Sequence, residues 1–406
     1  MNAVPSAAIC DLAAPVASWT PERDDPDGAF IYIDLSAVDQ HAKAIAGARQ
    51  LACAAAPSRA RQIVWAGDVL VSTVRPNLNA VARVPHELDG ATASTGFCVV
   101  RPRPEKLDGG YLFHWVRSPR FVCDMVRMAT GASYPAVSDR VVLDSKLPVP
   151  PIAEQRRIAE IMDKADALRA KRRAALAQLD TLTQAIFLDM FGDPIANPRG
   201  WPRKKLCTLG SLDRGVSKHR PRNAPELLGG PYPFAQTGDV ANCDGYIRDF
   251  SGTYSEAGLR QSKMWPAGTL CITIAANIAK TGVLTFDACF PDSVVGFRAD
   301  EPATIEFVRG WLSFLQASLE DKAPESAQKN INLEILRGLD VPTPTADLRR
   351  EFARRIAATE QLKAAHRTSL SELDGLFATL QHRAFRGELS PSDNDAKAIA
   401  EAQLSC

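Results

Sequence analysis

The chain has 406 residues, 46% hydrophobic and 23% charged, with a formal net charge of +1. That length allows two or three domains with separate cores, and the near-neutral balance excludes a global basic field, so any basic surface for nucleic acid must be local. Nine scattered cysteines with no C-x-x-C pair argue against a zinc site or a disulfide framework; no apolar run reaches the ~20 residues of a membrane helix, and no cationic stretch leading into an apolar one opens the chain, so a cytoplasmic location is expected.

Residues 1–146 read as a mixed α/β head. Phe30–Leu35 and Asp68–Val74 are strand-like runs rich in β-branched and aromatic residues. Gly110–Met128 reads as one helix with Leu112, Trp115, Val116, Val122 and Met125 as its apolar stripe. Pro148-Val149-Pro150-Pro151 then forbids helix and sets a boundary. Residues 147–195 hold a long predicted helix, from about Ala153 to Met190, and the linker after it. That helix would be ~57 Å long at 1.5 Å per residue. Residues 196–340 repeat the order of the first head, with strands at Pro233–Ala235 and Leu270–Ile274 and a helix over Ile305–Leu319. Residues 341–390 carry a second long helix, about Asp347–Phe385, and 391–406 a polar tail. Trp115 and Trp311 hold matching places in the two head helices and are expected core anchors.

The two long helices match at a constant offset. Ile158 meets Phe352, Met162 meets Ile356, Leu168 meets Leu362 and Leu179 meets Leu373, each at a step of 194 (373 − 179). Leu182 with Leu376 and Ile186 with Leu380 continue the series. These residues form seams stepping by three and four, close to a heptad with a polar interruption at Arg172. Neither stripe suits water, and each is the obvious cover for the other. At Val149 and Val341 the step is 192 (341 − 149), which implies two extra residues ahead of the second helix. Gly67–Ser72 meets Gly268–Thr273 at a step of 201, and Gly96-Phe97 meets Gly296-Phe297 at 200. The expected fold class is α+β: two pseudo-symmetric mixed α/β heads separated by a long antiparallel two-helix coiled coil. Antiparallel pairing would set the heads at opposite ends of a rod that spans at most about 17 base pairs of DNA.

Catalytic signatures are sparse. No P-loop, H-E-x-x-H, clustered His/Cys set or G-x-S-x-G elbow is present. Asp292, Glu320 and Lys322 have a spacing that could hold Mg²⁺ in a nuclease, and equally suit solvated helix-end charges. What remains are contact residues. Arg75, Asn77 and Asn79 follow the strand of head one, and Asn277 and Lys280 follow its counterpart. Arg and Asn suit bidentate contacts with guanine and adenine edges, and Asn equally suits a turn that satisfies its own backbone. Lys218, His219, Arg220 and Arg222 form a basic loop fit for phosphate or for solvent. Ser133 with Tyr134, and Gln328, Lys329 and Asn330, lie shortly before each Val-Pro boundary in polar loops. DNA contact and ordinary turn chemistry both fit them.

The run Leu147-Pro148-Val149-Pro150-Pro151-Ile152-Ala153-Glu154-Gln155-Arg156-Arg157-Ile158 carries a family resemblance, as do Phe191-Gly192-Asp193-Pro194 and Asn197-Pro198-Arg199-Gly200-Trp201-Pro202. With the strand-loop pairs above and Gln328-Lys329-Asn330-Ile331, the chain resembles the specificity subunit of type I restriction–modification systems over nearly its whole length. It departs at Asp347-Leu348-Arg349-Arg350-Glu351-Phe352, which lacks the usual Glu-Gln pair, and at Met1–Leu12, which lacks the usual Gly-Trp start. The resemblance implies a non-catalytic DNA reader whose heads are target recognition domains for a bipartite, asymmetric site. It implies helices that space the heads and dock two methyltransferase subunits. S-adenosylmethionine would then belong to those partners, and ATP and Mg²⁺ to motor–nuclease subunits, with no cofactor in this chain. A Mg-dependent nuclease, the specificity subunit of a related type II restriction–methylation system, and a protein-binding coiled-coil scaffold stand as the alternatives.

Overall fold

The structure, a computed structural model, describes residues 4–219, 221, 223–275, 278–322 and 331–389, with backbone alone for 317–322. The chain divides into two compact units: one runs up to Ala174 and resumes at His366, the other is Ala175–Ala365. No described helix is long and apolar enough to cross a membrane.

In the first unit an antiparallel sheet has the order Ala13–Ala14, Phe97–Pro102, Val69–Ser72, Val81–Arg83. Val69–Ser72 is apolar without alternation because both of its faces are covered. Val69 and Val71 point into a core with Leu112, Trp115 and Met162, while Leu70 points the other way, among Ile33, Phe97 and Val99. The second sheet runs Arg49–Ala52, Ala29–Ile33, Thr92–Ser94, Ala60–Ile63, with its two middle strands parallel. Ser6–Ala8 and Lys146–Pro148 pair antiparallel and close the head.

The second unit repeats this plan. Its main sheet runs Ser211–Arg214, Val294–Arg298, Leu270–Thr273, Thr281–Leu284, with Gly245–Ile247 added at the edge. The other runs Gly252–Tyr254, Leu228–Phe234, Ala288–Cys289, Met264–Trp265, again with a parallel middle pair. Arg203–Lys205 pairs with Asp340–Pro342 and closes the head.

Strand pairing corrects two alignments made on residue identity. Leu147 sits where Val341 sits and Pro148 where Pro342 sits, because they oppose equivalent residues of the closing strands. The step is therefore 194 (342 − 148) from the boundary strand onward, and no two-residue insertion precedes the second helix. Likewise Val99 opposes Leu70 as Gly296 opposes Cys271, a step of 197 (296 − 99), so Gly96-Phe97 and Gly296-Phe297 are not counterparts. The N-terminal residues also have their match: Val149 N–H donates to Pro5 O and Thr343 N–H to Pro202 O.

The expected single helix over Gly110–Met128 is two, Gly109–Val116 and Pro119–Met128. Ser118 caps the second, its Oγ accepting from Phe121 N–H at 3.3 Å, and Pro119 fills the first helical position. The Ser-Pro pair signals this break in the sequence. Trp115 and Trp311 are both buried.

The long helices are Ile152–Phe191 and Ala346–Ala384, 40 and 39 residues. Within each unit they pair antiparallel. In the first, Arg169 Nε donates to Asp374 Oδ1 at 2.5 Å and Arg172 Nη1 to His366 Nδ1 at 3.0 Å. In the second, Lys363 Nζ lies 2.5 Å from Asp180 Oδ1 and the Phe187 ring packs edge-on to Phe352. Ile158, Met162, Leu168, Leu373 and Leu380 are buried in one unit, Phe352 and Ile356 in the other, with Leu179, Ile186 and Leu376 half-buried. Leu182 and Leu362 depart from the expected seam: they are 43% and 54% exposed. The inward positions beside them belong to Thr183 and to Lys363, which is only 3% exposed. Ion pairs with Asp180 and Glu360 make it possible to bury that lysine, and the heptad phase then turns Leu362 outward.

The head of the first unit is tied to its helices by polar contacts. His114 is fully buried, with Nε2 2.7 Å from Asp163 Oδ1, and Gln381 Nε2 donates to His114 O. Burial pushes the imidazole pKa below its ordinary 6.5, against the pull of the Asp163 hydrogen bond. The neutral ring therefore carries its proton on Nε2, toward the carboxylate. Arg117 donates to Asp166 at 2.6 Å.

Two outcomes follow from this packing. Phe187→Ala, which empties a site among Phe191, Phe307, Phe314 and Phe352, should cost about 3–5 kcal/mol in urea unfolding, whereas Leu182→Ala and Leu362→Ala should each cost under about 0.5 kcal/mol. As pH falls through 6.5 the unfolded chain takes up the His114 proton before the folded one. Stability of the first unit should therefore fall on the acid side, and that slope should shrink in His114→Gln when urea midpoints are compared between pH about 7 and about 5.

Candidate nucleic-acid interface

In the first head the strand Val69–Ser72 leads into a tight loop before Val81–Arg83. Pro76–Leu78 forms a short 3₁₀ turn bracketed by Arg75 and Asn79, both left-handed with φ of 49° and 46°. Such backbone costs on the order of 1 kcal/mol per residue and persists only where neighbours hold it. Here Arg75 N–H donates to Pro135 O at 2.7 Å. Asn79 Nδ2 donates to Val116 O at 2.9 Å, and Lys43 Nζ donates to Asn79 O at 2.5 Å and Oδ1 at 3.1 Å. Asn79 is thus turned inward and holds the loop. Sequence reasoning missed Lys43, which is half-buried; burial, then the nearby Arg117 charge, pulls its pKa down to about 8.

The loop held in this way presents Arg75 and Asn77 to solvent. The Arg75 guanidinium lies 4.7 Å from the Tyr134 ring centroid, and that ring is 68% exposed. Ser133 is exposed beside it. The fold therefore brings the segment before the boundary strand against the hairpin loop, joining Arg75 and Tyr134 across about 60 residues of chain (134 − 75). A guanidinium stacked on an open ring keeps its N–H edge free and its plane fixed.

The second head builds the corresponding loop between Thr273 and Thr281. Ala279 takes the left-handed place of Asn79, with φ of 58°. Lys280 is half-buried, its N–H donating to Thr273 Oγ1. Asn277 lies outside the described residues, as do Gln328, Lys329 and Asn330. The residue after that trio, Ile331, donates its N–H to Ile274 O at 3.0 Å, so this segment too returns to the end of the central strand. Lys218 and His219 are exposed; His219 N–H donates to Gln261 Oε1 at 3.0 Å, and Arg220 and Arg222 lie outside the described residues. Of the nuclease trio, Asp292 accepts from Arg214 Nε through its backbone carbonyl, while the side chains of Glu320 and Lys322 lie outside the described residues.

The chain matches known proteins throughout. Residues 66–178 match the family model "Type I restriction modification DNA specificity domain". The EcoBI specificity subunit of Escherichia coli is 22% identical over 329 residues, covering 72% of this chain and 68% of that one. The HindI specificity subunit of Haemophilus influenzae is 20% identical over 412 residues, covering 82% and 89%. A solved chain from work on assembly and conformational transition of a type I restriction–modification system is 26% identical, with a TM-score of 0.59, covering 96% of this chain and 99% of that one. With two heads of one strand order and the hairpin loops described above, these similarities support one reading: over most of its length the chain is similar to the type I restriction–modification specificity subunits, a non-catalytic, DNA-recognising class, and residues 66–178 match that family's DNA specificity domain.

Proposed function

We propose that this chain reads a bipartite, asymmetric site on double-stranded DNA, one half per head, and docks two methyltransferase subunits and through them motor–nuclease subunits. The observation that carries the reading is the repetition of one head topology with different loops at the same place. Arg75, Asn77, Ser133 and Tyr134 would read one half-site. Lys218, His219, Arg220, Arg222, Asn277, Lys280, Gln328, Lys329 and Asn330 would contact the other, with Asn79 holding its loop rather than touching DNA. The long helices would set the gap between half-sites, and the exposed Leu182, Leu188 and Leu362 support a protein partner on them. S-adenosylmethionine, ATP and Mg²⁺ would enter with the partners, in the cytoplasm.

Mapping of methylated adenines in cells carrying the complete system should return two short half-sites separated by a fixed gap; one continuous motif would end the reading. Arg75→Ala in the assembled complex should cost about 1–3 kcal/mol of DNA binding. It should also relax the motif at one half-site only. Removal of four residues from each long helix, about 6 Å, should shorten the gap by about two base pairs; an unchanged gap would reject the helices as a ruler.

A further inference from the structure

Strained backbone gathers at one place in the first head. Six described residues other than glycine have left-handed φ angles, and three of them, Lys43, Arg75 and Asn79, meet at the loop after the central strand. Backbone of this kind persists only where its surroundings hold it, and it concentrates at functional sites. Lys43 closes a tight turn between Val38–Asp39 and Ala44–Ile45, which pair antiparallel. The turn is wound on Asp39. Its Oδ1 accepts from His41 N–H at 2.7 Å and Ala42 N–H at 2.9 Å, and its carbonyl oxygen accepts from Lys43 N–H at 2.8 Å. A turn distant in sequence thus delivers one ammonium group to the inner side of the hairpin loop, where Nζ donates to both oxygens of Asn79.

No carboxylate answers that ammonium. Asp166 is bound to Arg117 at 2.6 Å and to Arg169 at 2.7 Å, and Asp39 is occupied with its own turn. Lys43 makes no ion pair among the described residues. Burial first, then the Arg117 charge, bring its pKa to about 8, against the pull of Asp166 and Asp39. The outer side of the same loop presents Arg75, stacked on Tyr134, and Asn77. A cation with no counter-ion, under a surface read as DNA-binding, has its charge left for phosphate. A phosphate brought against the loop favours the charged form and raises the pKa again. The second head lacks this arrangement at the matching loop, because Ala279, in the place of Asn79, has no side-chain oxygen to receive an ammonium.

We propose that Lys43 is a positioning residue of the first head: it holds the reading loop from within and takes DNA phosphate as its counter-ion, so that binding of the first half-site takes up a proton. This rests on the reading of the head as a DNA reader put forward above, and adds a residue and a proton to it. The test uses the assembled complex and a duplex carrying the motif mapped from methylated adenines, with Kd followed across pH. By linkage, affinity falls as pH rises from the pKa of the free protein toward the higher one of the complex. The unaltered complex should lose about five-fold between about pH 7.5 and about pH 9. Lys43→Arg, charged throughout that range, should bind within about two-fold of the unaltered complex at about pH 7.5 and lose the pH dependence. Lys43→Met should bind at least about ten-fold more weakly there and be equally flat. A slope kept by Lys43→Arg would assign the proton to another group and overturn the proposal. So would unchanged affinity in Lys43→Met, or a flat profile in the unaltered complex, and DNA reading would stand in each case. An unaltered complex that binds the mapped duplex no better than a scrambled one would defeat the reading itself, and the role of Lys43 with it.

Discussion

A cation held between two carboxylates, present twice at one offset, fixes how the long helices pair. In the first unit Arg169 bridges Asp166 at 2.7 Å and Asp374 at 2.5 Å. In the second, Lys363 bridges Glu360 at 3.3 Å and Asp180 at 2.5 Å. Every member lies 194 residues from its counterpart. An apolar seam alone tolerates a slide of one heptad, ~10 Å along the axis. These triplets do not, because a slide would part Lys363 from Asp180 and Arg169 from Asp374, leaving each cation only the carboxylate of its own helix. Such polar pairing contributes little net stability, and it makes one register far better than its neighbours.

The same carboxylates also hold the heads. Asp166 accepts from Arg117 at the end of the head helix, and Arg117 lies over the Phe377 ring. Glu360 accepts from Arg248, which follows the edge strand of the second head. The two heads thus reach the same helix position from different elements, Arg117 in one and Arg248 in the other. What is kept between the units is the charge on the helix; the arginine that finds it is local to each head.

The outline was legible in the sequence wherever apolar periodicity decides the structure. Both long helices, the central strands and the two tryptophan anchors stand where the pattern puts them. Where structure departs from the sequence pattern, partners distant in sequence outweigh local identity. Val149-Pro150 looks like Val341-Pro342, yet hydrogen bonding to the closing strands selects Leu147-Pro148. Leu362 looks like a seam residue, and Lys363 takes the place because its charge is matched. Asn79 looks like a reader of bases, and its amide is spent on Val116. In each case the deciding partner lies far away in sequence. Ser118-Pro119 is different: that signal was local and outweighed by the apolar stripe on either side of it.

Each head starts and finishes on two strands that pair with each other, Ser6–Ala8 with Lys146–Pro148 and Arg203–Lys205 with Asp340–Pro342. Everything between them is a closed excursion from the helical frame. The clasp asks only that the incoming and outgoing strands meet, and it places no demand on how many residues lie inside. Step changes from 201 to 197 to 194 along the heads are absorbed there without disturbing the helices. A whole head is in that sense a cassette: what lies between the two strands of the clasp can change in length and content without any change to the helical frame that carries it.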